Sequence, residues 1–314
     1  MKETFVYAAR LKYRDKLIQS SSGGMFLPLS DLFLKRGYAV ACAIYDVELH
    51  QTVFRLIQTK EEQQLAQGSK YMQSIPAEIF RTCIEWLETN QDKKLLFIGM
   101  GCQAAAFQRF TEVKKLRNRV VIVDIICHGS PSPKIWREYA AQLEKRNNGI
   151  IKFVSFKDKR NGWNAPYAYV KIGQKEISIS DYVNLFYSQC ILRPSCHECP
   201  YTKVERDTDM TIGDFWGIEN VLPDYYSPDG NSLVLIHTEV GQQLFEEIKE
   251  NLEVVESNQN DCLQPNLIAP TPVSDRRNTF WKVYSIHGLE KAMYQIFKPS
   301  LFLRVKRKLR NIIR

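Results

Sequence analysis

Residues 95–129 read LLFIGMGCQAAAFQRFTEVKKLRNRVVIVDIICHG, and this stretch decides the fold. Leu95–Ile98 and Val120–Ile126 are short runs of almost wholly apolar residues. Such runs suit strands buried on both faces. Ala104–Phe110 between them predicts a helix, and another is expected near Ile135–Leu143. Strand and helix alternating in this way predict a parallel sheet with crossover helices. Ligands of such sheets gather beyond the carboxyl ends of the strands. Cys102 and Cys127 fall just past two of those ends.

On the amino-terminal side, Thr4–Ala9 reads as a strand and the residues from Met25 to Gly37 as a helix. Tyr38–Tyr45 and Thr52–Gln58 suit a hairpin, and Ala77–Leu87 has apolar residues at helical spacing. On the other side, Ile151–Lys157, Tyr167–Ile172 and Glu176–Ser180 read as an antiparallel insertion over 151–180. Asp181–Gln189 suits a helix and Arg193–Asp209 a loop. Met210–Ile212 and Ser232–His237 suit strands, and Gly241–Glu256 contains a helix. Beyond residue 257 the pattern weakens. The expected fold is α/β: a mixed, largely parallel sheet with flanking helices, an antiparallel insertion and a cysteine-bearing loop. Residues 1–256 are expected to form the body, from parts 1–90 and 91–256, with 257–314 as a C-terminal extension.

The chain has 314 residues and is 44% hydrophobic, enough for a large core. Its net charge of +8 is concentrated at one end. Residues 298–314 hold seven basic side chains and no acid, and setting those aside leaves 36 of the 43 basic side chains against 35 acidic ones. A near-neutral body argues against nucleic-acid binding. The tail, with Leu301, Phe302, Val305, Leu309, Ile312 and Ile313 opposite its bases, suits either peripheral contact with an anionic membrane or a helix packed on the body. No secretory signal and no bilayer-spanning run is visible, so a cytoplasmic location is expected. In a reducing cytosol, eight cysteines point to metal or redox chemistry rather than disulfides.

Cys196 and Cys199 form Cys-His-Glu-Cys-Pro in the loop. With Cys102 and Cys127 they make a candidate four-thiolate site for an iron–sulfur cluster or for Zn²⁺. Cys42 and Cys83 lie in apolar patterns and read as buried core. Cys262 stands alone in a polar stretch, and Cys190 lies near enough to the pair to be a reserve ligand. Two small-residue turns could hold phosphate: Ser22, Gly23 and Gly24 before a helix, and Gly68, Ser69, Lys70 and Tyr71, which add a cation and a ring. Equally, serine–glycine turns are often no more than helix caps. Asp214, in Gly-Asp-Phe-Trp-Gly, places a carboxylate beside flat rings, or marks a structural turn. His128 is a candidate proton donor, or simply bonds a carbonyl.

Taken in order, six blocks resemble the coenzyme F420 hydrogenase/dehydrogenase beta-subunit family. They are SSSGGMF (20–26), GSKYMQS (68–74), GMGCQ (99–103), DIICHGSPS (124–132), RPSCHECP (193–200) and DMTIGDFWGI (209–218). The resemblance implies a flavin, FAD or FMN, beside a [4Fe–4S] cluster. By it, Cys102, Cys127, Cys196 and Cys199 are the expected cluster ligands. Ser22, Gly23, Gly24, Gly68, Ser69, Lys70, Tyr71 and Gln103 are the expected flavin contacts, with His128 and Asp214 as candidate catalytic groups. No amino-terminal ferredoxin-like segment, which many members carry, is expected in this chain. It also has Gly-Met-Gly-Cys-Gln where Gly-Thr-Pro-Cys-Gln is usual, which predicts a looser loop before Cys102.

The expected activity is therefore a flavin- and [4Fe–4S]-dependent oxidoreductase. It would move electrons between a one-electron donor, such as ferredoxin or flavodoxin, and a small-molecule substrate. Short members resemble bacterial proteins of surface-polysaccharide synthesis, so a sugar-linked substrate is one expectation and use of F420 is not assumed. Two other readings stand beside it: a non-redox glycan-modifying protein with a structural four-cysteine zinc site, and a cofactor-binding scaffold subunit.

Overall fold

A computed structural model describes residues 4–76 and 78–298. The basic tail expected at 298–314 lies outside the described residues except for Lys298. In chain order the strands are β1 (Phe5–Leu11), β2 (Ala39–Asp46), β3 (Gln51–Ile57), β4 (Ser74–Ile75), β5 (Leu95–Met100), β6 (Val120–Ile125), β7 (Ile151–Asp158), β8 (Tyr167–Ile172), β9 (Lys175–Ser178), β10 (Met210–Asp214), β11 (Ser232–Ile236) and β12 (Leu252–Ser257). Nine of them form one sheet in the order β12-β1-β11-β10-β6-β5-β2-β3-β4, and β7, β8 and β9 form a second. The centre of the large sheet, β2-β5-β6-β10, is parallel, whereas β11, β1 and β12 add an antiparallel flank.

Side chains alternate across this sheet with period two. Leu96, Ile98, Val121 and Val123 pack with Leu29 and Phe33 of the helix Phe26–Lys35 and with Leu244, Phe245 and Ile248 of the helix Glu239–Ile248. On the other face, Leu95, Phe97, Val120 and Ile122 pack with Ile79, Cys83 and Leu87 of the helix Ile79–Thr89, and with Ala104 and Phe107 of the helix Gly101–Val113. Burial on both faces is what the continuous apolar runs of β5 and β6 express. The α/β architecture is as expected, with helices on both faces and a separate antiparallel sheet.

The small sheet has its own core, in which Phe156 and Val170 meet Trp136, Tyr139 and Tyr182. Trp136 and Tyr139 lie on the helix Pro133–Asn147, which starts on Ser132 as a side-chain cap with proline in its first turn. It ends at Asn148 in the left-handed region at φ 48°. Within 241–256, read as containing a helix, the helix ends at Ile248 and β12 follows and pairs with β1. Beyond residue 257 there is more structure than the weak pattern suggests: the helix Arg277–Phe297 places Phe280, Leu289, Ala292 and Ile296 in the core of the small sheet. That helix bends at Gly288, whose φ of 79° breaks the regular spacing.

Phe97 is fully buried, with its ring 4.4 Å from Phe107 and 5.4 Å from Phe54, centroid to centroid. Phe97→Ala is expected to cost about 3–5 kcal/mol in urea unfolding. Phe153→Ala, at an exposed position of the small sheet, is expected to change stability by less than about 1 kcal/mol.

Candidate functional site

Cys102 is the second residue of the helix that follows β5, and Cys127 lies two residues beyond β6. Cys196 sits in the short 3-10 turn Pro194–Glu198, and Cys199 directly follows it. The loop after β6 runs beside this turn. Pro131 and Leu192 form an antiparallel bridge, and Arg193 N–H donates to the Ser130 carbonyl at 3.0 Å. Gly129, at φ 132°, lies so close that an added Cβ would fall 2.8 Å from Leu192 Cδ1 and 3.4 Å from Cys196 Cβ. Burial pushes Cys127 up to about 12, offset by the Gly129 N–H and reinforced by Cys196, Cys102 and Cys199. Cys102 is raised by burial, then by Cys199 and Cys196. Among the described residues, no three His, Cys, Asp or Glu side chains gather so as to hold one metal ion.

The remaining cysteines are elsewhere. Cys42, Cys83, Cys190 and Cys262 are buried in the cores. The Cys190 thiol bonds the Ser188 carbonyl and Ser274 Oγ, at 3.6 and 3.5 Å, which suits a core residue rather than a reserve ligand. Gly101 is packed and not loose: an added Cβ would lie 2.9 Å from the Cβ of Tyr201, two residues past Cys199. Glycine here serves close approach of the cysteine-bearing segments, contrary to the expected looseness.

A cavity of about 930 Å³ opens between the small sheet and the helices on one face of the large sheet. Ser21, Gly68, Ser69, Lys70, Lys157 and Arg160 are among its lining residues. The two phosphate-type turns meet here, with Ser21 Oγ and Ser69 Oγ 2.9 Å apart. Gly68 has φ 83° with open space around it, which leaves its backbone accessible. The Lys70 ammonium donates to the carbonyls of Ala66 and Gln67 at the end of the preceding helix. A third N–H remains for an anion. Burial lowers Lys70 to about 8, partly offset by Cys42.

Ser22, Gly23, Gly24 and Tyr71 stand outside this lining. Gly23 donates its N–H to Ser232 Oγ at 2.8 Å, and a Cβ on it would lie 2.2 Å from the Ala9 carbonyl. Tyr71 is stacked on Phe186 at 4.6 Å, and its hydroxyl accepts from Tyr187 at 3.1 Å. Gln103 is buried and spent on its neighbours. Its amide donates to the Ser74 carbonyl at 3.0 Å and its oxygen accepts from Met100 N–H at 3.2 Å.

Asp214 accepts from Ser22 Oγ at 2.7 Å, from Lys157 Nζ at 2.6 Å and from Trp163 Nε1 at 2.6 Å. The flat rings beside it are Trp163 and Trp216, stacked at 4.8 Å, with the Lys157 ammonium 4.9 Å from the Trp216 centroid. A carboxylate so committed to three donors suits anchoring better than proton transfer. The sequence reading missed Lys157, Lys159 and Trp163. Lys159 donates to the carbonyls of Ser22 and Asp229. Nothing in the local pattern separates these two lysines from solvated ones, and only the fold of the insertion turns them inward. His128 lies between Phe186 and Tyr187, with ring centroids 5.2 and 5.5 Å away. Burial holds its imidazole below the usual histidine range. Its Nε2 and that of His197 are buried with no hydrogen-bond partner among the described residues.

Fold and site together define a mixed α/β protein whose cysteine-bearing segments pack against one another and whose cavity is lined by more basic than acidic side chains. The chain belongs to the family described as the C terminus of the coenzyme F420 hydrogenase/dehydrogenase beta subunit, whose model matches residues 92–261. That span contains all four converging cysteines and Asp214, whereas the serine–glycine turns precede it. Membership places the chain among subunits of redox enzymes. A similar solved structure is the xenon-derivatised F420-reducing [NiFe] hydrogenase complex from Methanosarcina barkeri. The match has TM-score 0.54 and 17% identity and covers 93% of this chain and 90% of that chain. This likeness supports the fold. No curated protein matches the chain.

If Lys70 grips an anion, binding should weaken as pH rises through its pKa of about 8. The ammonium is charged below that value and neutral above it. Calorimetric titration with ADP is expected to show about tenfold weaker binding at pH 9 than at pH 7. Lys70→Met should bind weakly at both.

Proposed function

We propose that this chain is an oxidoreductase in which Cys102, Cys127, Cys196 and Cys199 hold a [4Fe–4S] cluster and the cavity at Ser21, Ser69 and Lys70 takes a flavin dinucleotide. The observation that carries the reading is the close packing of the cysteine-bearing segments, Gly129 on Cys196 and Gly101 on Tyr201, in a chain that also holds a cavity of about 930 Å³ lined by Ser21, Ser69 and Lys70. A flavin exchanges electron pairs with a small molecule and single electrons with a cluster, and this is the chemistry the two groups would supply together.

Four thiolates would suit a [4Fe–4S] cluster or a single tetrahedral Zn²⁺ alike, and metal analysis separates the two. Cys102 is exposed, so one edge of the cluster would face a one-electron donor such as ferredoxin or flavodoxin.

The chain's own residues divide the remaining work. Ser21, Gly68, Ser69 and Lys70 present hydroxyls, backbone and a cation to a pyrophosphate. Lys157 is held by Asp214 and lines the cavity wall, where its ammonium can stabilise negative charge on a bound ring. The substrate is proposed to be a small molecule, with a sugar-linked compound as the class that the basic tail would suit. No helix among the described residues is long and apolar enough to cross a membrane. The proposal includes peripheral contact through 298–314, next to Tyr294 and Phe297, which are exposed at the end of the last described helix. Deleting 298–314 should abolish sedimentation with vesicles rich in anionic lipid, and unchanged sedimentation counts against that contact.

Anaerobic purification and reconstitution with ferrous iron and sulfide are expected to give brown protein with about four irons per chain. Cys199→Ala should lose nearly all of that iron. Cys262→Ala, at a buried core site, should cost about 1 kcal/mol of stability and keep the iron. Colourless wild-type protein with one tightly held zinc would refute the cluster.

A further inference from the structure

Against the turn before Cys102 lies an ion pair with no part in the proposed redox chemistry. Arg206 and Asp124 are buried, with their side chains 3% and 1% exposed. Arg206 Nη1 donates to Asp124 Oδ2. The other carboxylate oxygen accepts from Thr208 Oγ1 at 3.2 Å and from Thr211 Oγ1. Arg206 Nε donates to the Lys203 carbonyl at 3.2 Å. Each partner belongs to a segment that carries a cysteine. Asp124 is on β6, three residues before Cys127. The Lys203 carbonyl is four residues past Cys199 in the same loop. Gly101, directly before Cys102, is pressed against the pair. A Cβ there would lie 3.1 Å from Asp124 Oδ2, 3.2 Å from Arg206 Nη1 and 2.9 Å from Tyr201 Cβ.

We infer that the Arg206–Asp124 pair is the positioning element of the thiol site. It ties the turn bearing Cys102, the strand end bearing Cys127 and the loop bearing Cys196 and Cys199 into one unit, so the sulfurs converge before any metal arrives. The clamp's link to a cluster rests on the oxidoreductase reading, but the convergence of the free thiols does not.

A guanidinium suits this role because it is always charged and its fixed fork can bond a carboxylate and a backbone carbonyl together. Burial makes the arrangement stringent: removing one partner strands the other charge in the interior. A surface ion pair would tolerate drift of the segments, but this pair does not. Arg117 and Asp209 offer a matched comparison. Both Asp209 oxygens accept from Arg117 Nη2 at 2.9 Å, and Asp209 also bonds Ile122 N–H at 2.8 Å. That pair also joins β6 to the residue before β10, yet none of its bonds reaches the Gly101–Cys102 turn or the Cys196–Lys203 part of the loop.

The test uses the purified, metal-free full chain and dibromobimane, which fluoresces strongly only when it bridges two nearby thiols. Arg206→Met and Asp124→Asn are expected to lower the bridged yield at least about fivefold, whereas Arg117→Met, with a comparable loss of stability, keeps the wild-type yield. The double substitution Arg206→Met with Asp124→Leu leaves no unpaired buried charge, so it should fold and still show the low yield. Iron uptake from ferrous iron and sulfide should fall in parallel with bridging. Wild-type bridging in the folded double variant would overturn the clamp, as would equal losses in the Arg206 and Arg117 variants. If the wild-type chain takes up no iron while bridging still depends on Arg206, the clamp stands and the cluster reading fails.

Discussion

The parallel pairing of β5, β6 and β10 sets the level at which Cys102, Cys127 and Asp214 stand. Met100 is paired with Ile125, and Ile125 with Ile212. Cys102, Cys127 and Asp214 each lie two residues beyond that row. Parallel strands deliver their ends to the same edge of a sheet, so three residues far apart in sequence leave the sheet at one level. Register is strict here because both faces are buried. A slip by one residue would send Leu95, Phe97, Val120 and Ile122 to the wrong helical layer. The hydrophobic sorting that folds the sheet is therefore also what aligns the thiols.

Charge does a different job. The buried or half-buried pairs Arg206–Asp124, Lys157–Asp214 and Arg117–Asp209 all have their carboxylate on β6, at the end of β10, or directly before β10. In each case the cation comes from another segment: the cysteine loop, the small sheet, or the turn before β6. Pairs of this kind contribute little net stability after desolvation, but they penalise misplacement heavily. Apolar packing holds the layers together, and these few ion pairs fix where the covering segments sit on the sheet.

Much of this was legible in the sequence because the relevant signals are local. The runs at Leu95–Ile98 and Val120–Ile126 mark strands, Tyr38–Tyr45 is another apolar run with Thr52–Gln58 close enough to pair with it, and Cys-x-x-Cys declares a loop site. The serine–glycine and Gly-Ser-Lys turns were recognisable by composition, and the fold brings Ser21 against Ser69. What escaped depends on long-range context. Lys157 and Lys159 have the sequence of a solvated strand end and become buried only because the small sheet folds down onto Asp214 and Ser22. Helix Arg277–Phe297 lacks a clean apolar stripe because Ile286, Tyr294 and Phe297 are apolar yet exposed and Gly288 interrupts the spacing. Gly101 read as loosened because a turn's conformational freedom is visible in sequence, whereas the close approach of Tyr201 is not.

The cavity loop and the thiol loop also share one aromatic core. Tyr71, next to Lys70, is stacked on Phe186 at 4.6 Å with its ring planes 3° apart. Phe186 and Tyr187 in turn pack against His128, the neighbour of Cys127. Tyr182, from the same helix, donates its hydroxyl to the Tyr71 carbonyl at 2.9 Å. Close-packed rings transmit displacement because no void is available to absorb it. The helix Ser180–Tyr187 therefore packs at once against the Gly68–Tyr71 turn and against His128, the residue after Cys127, and joins these two segments through one set of rings.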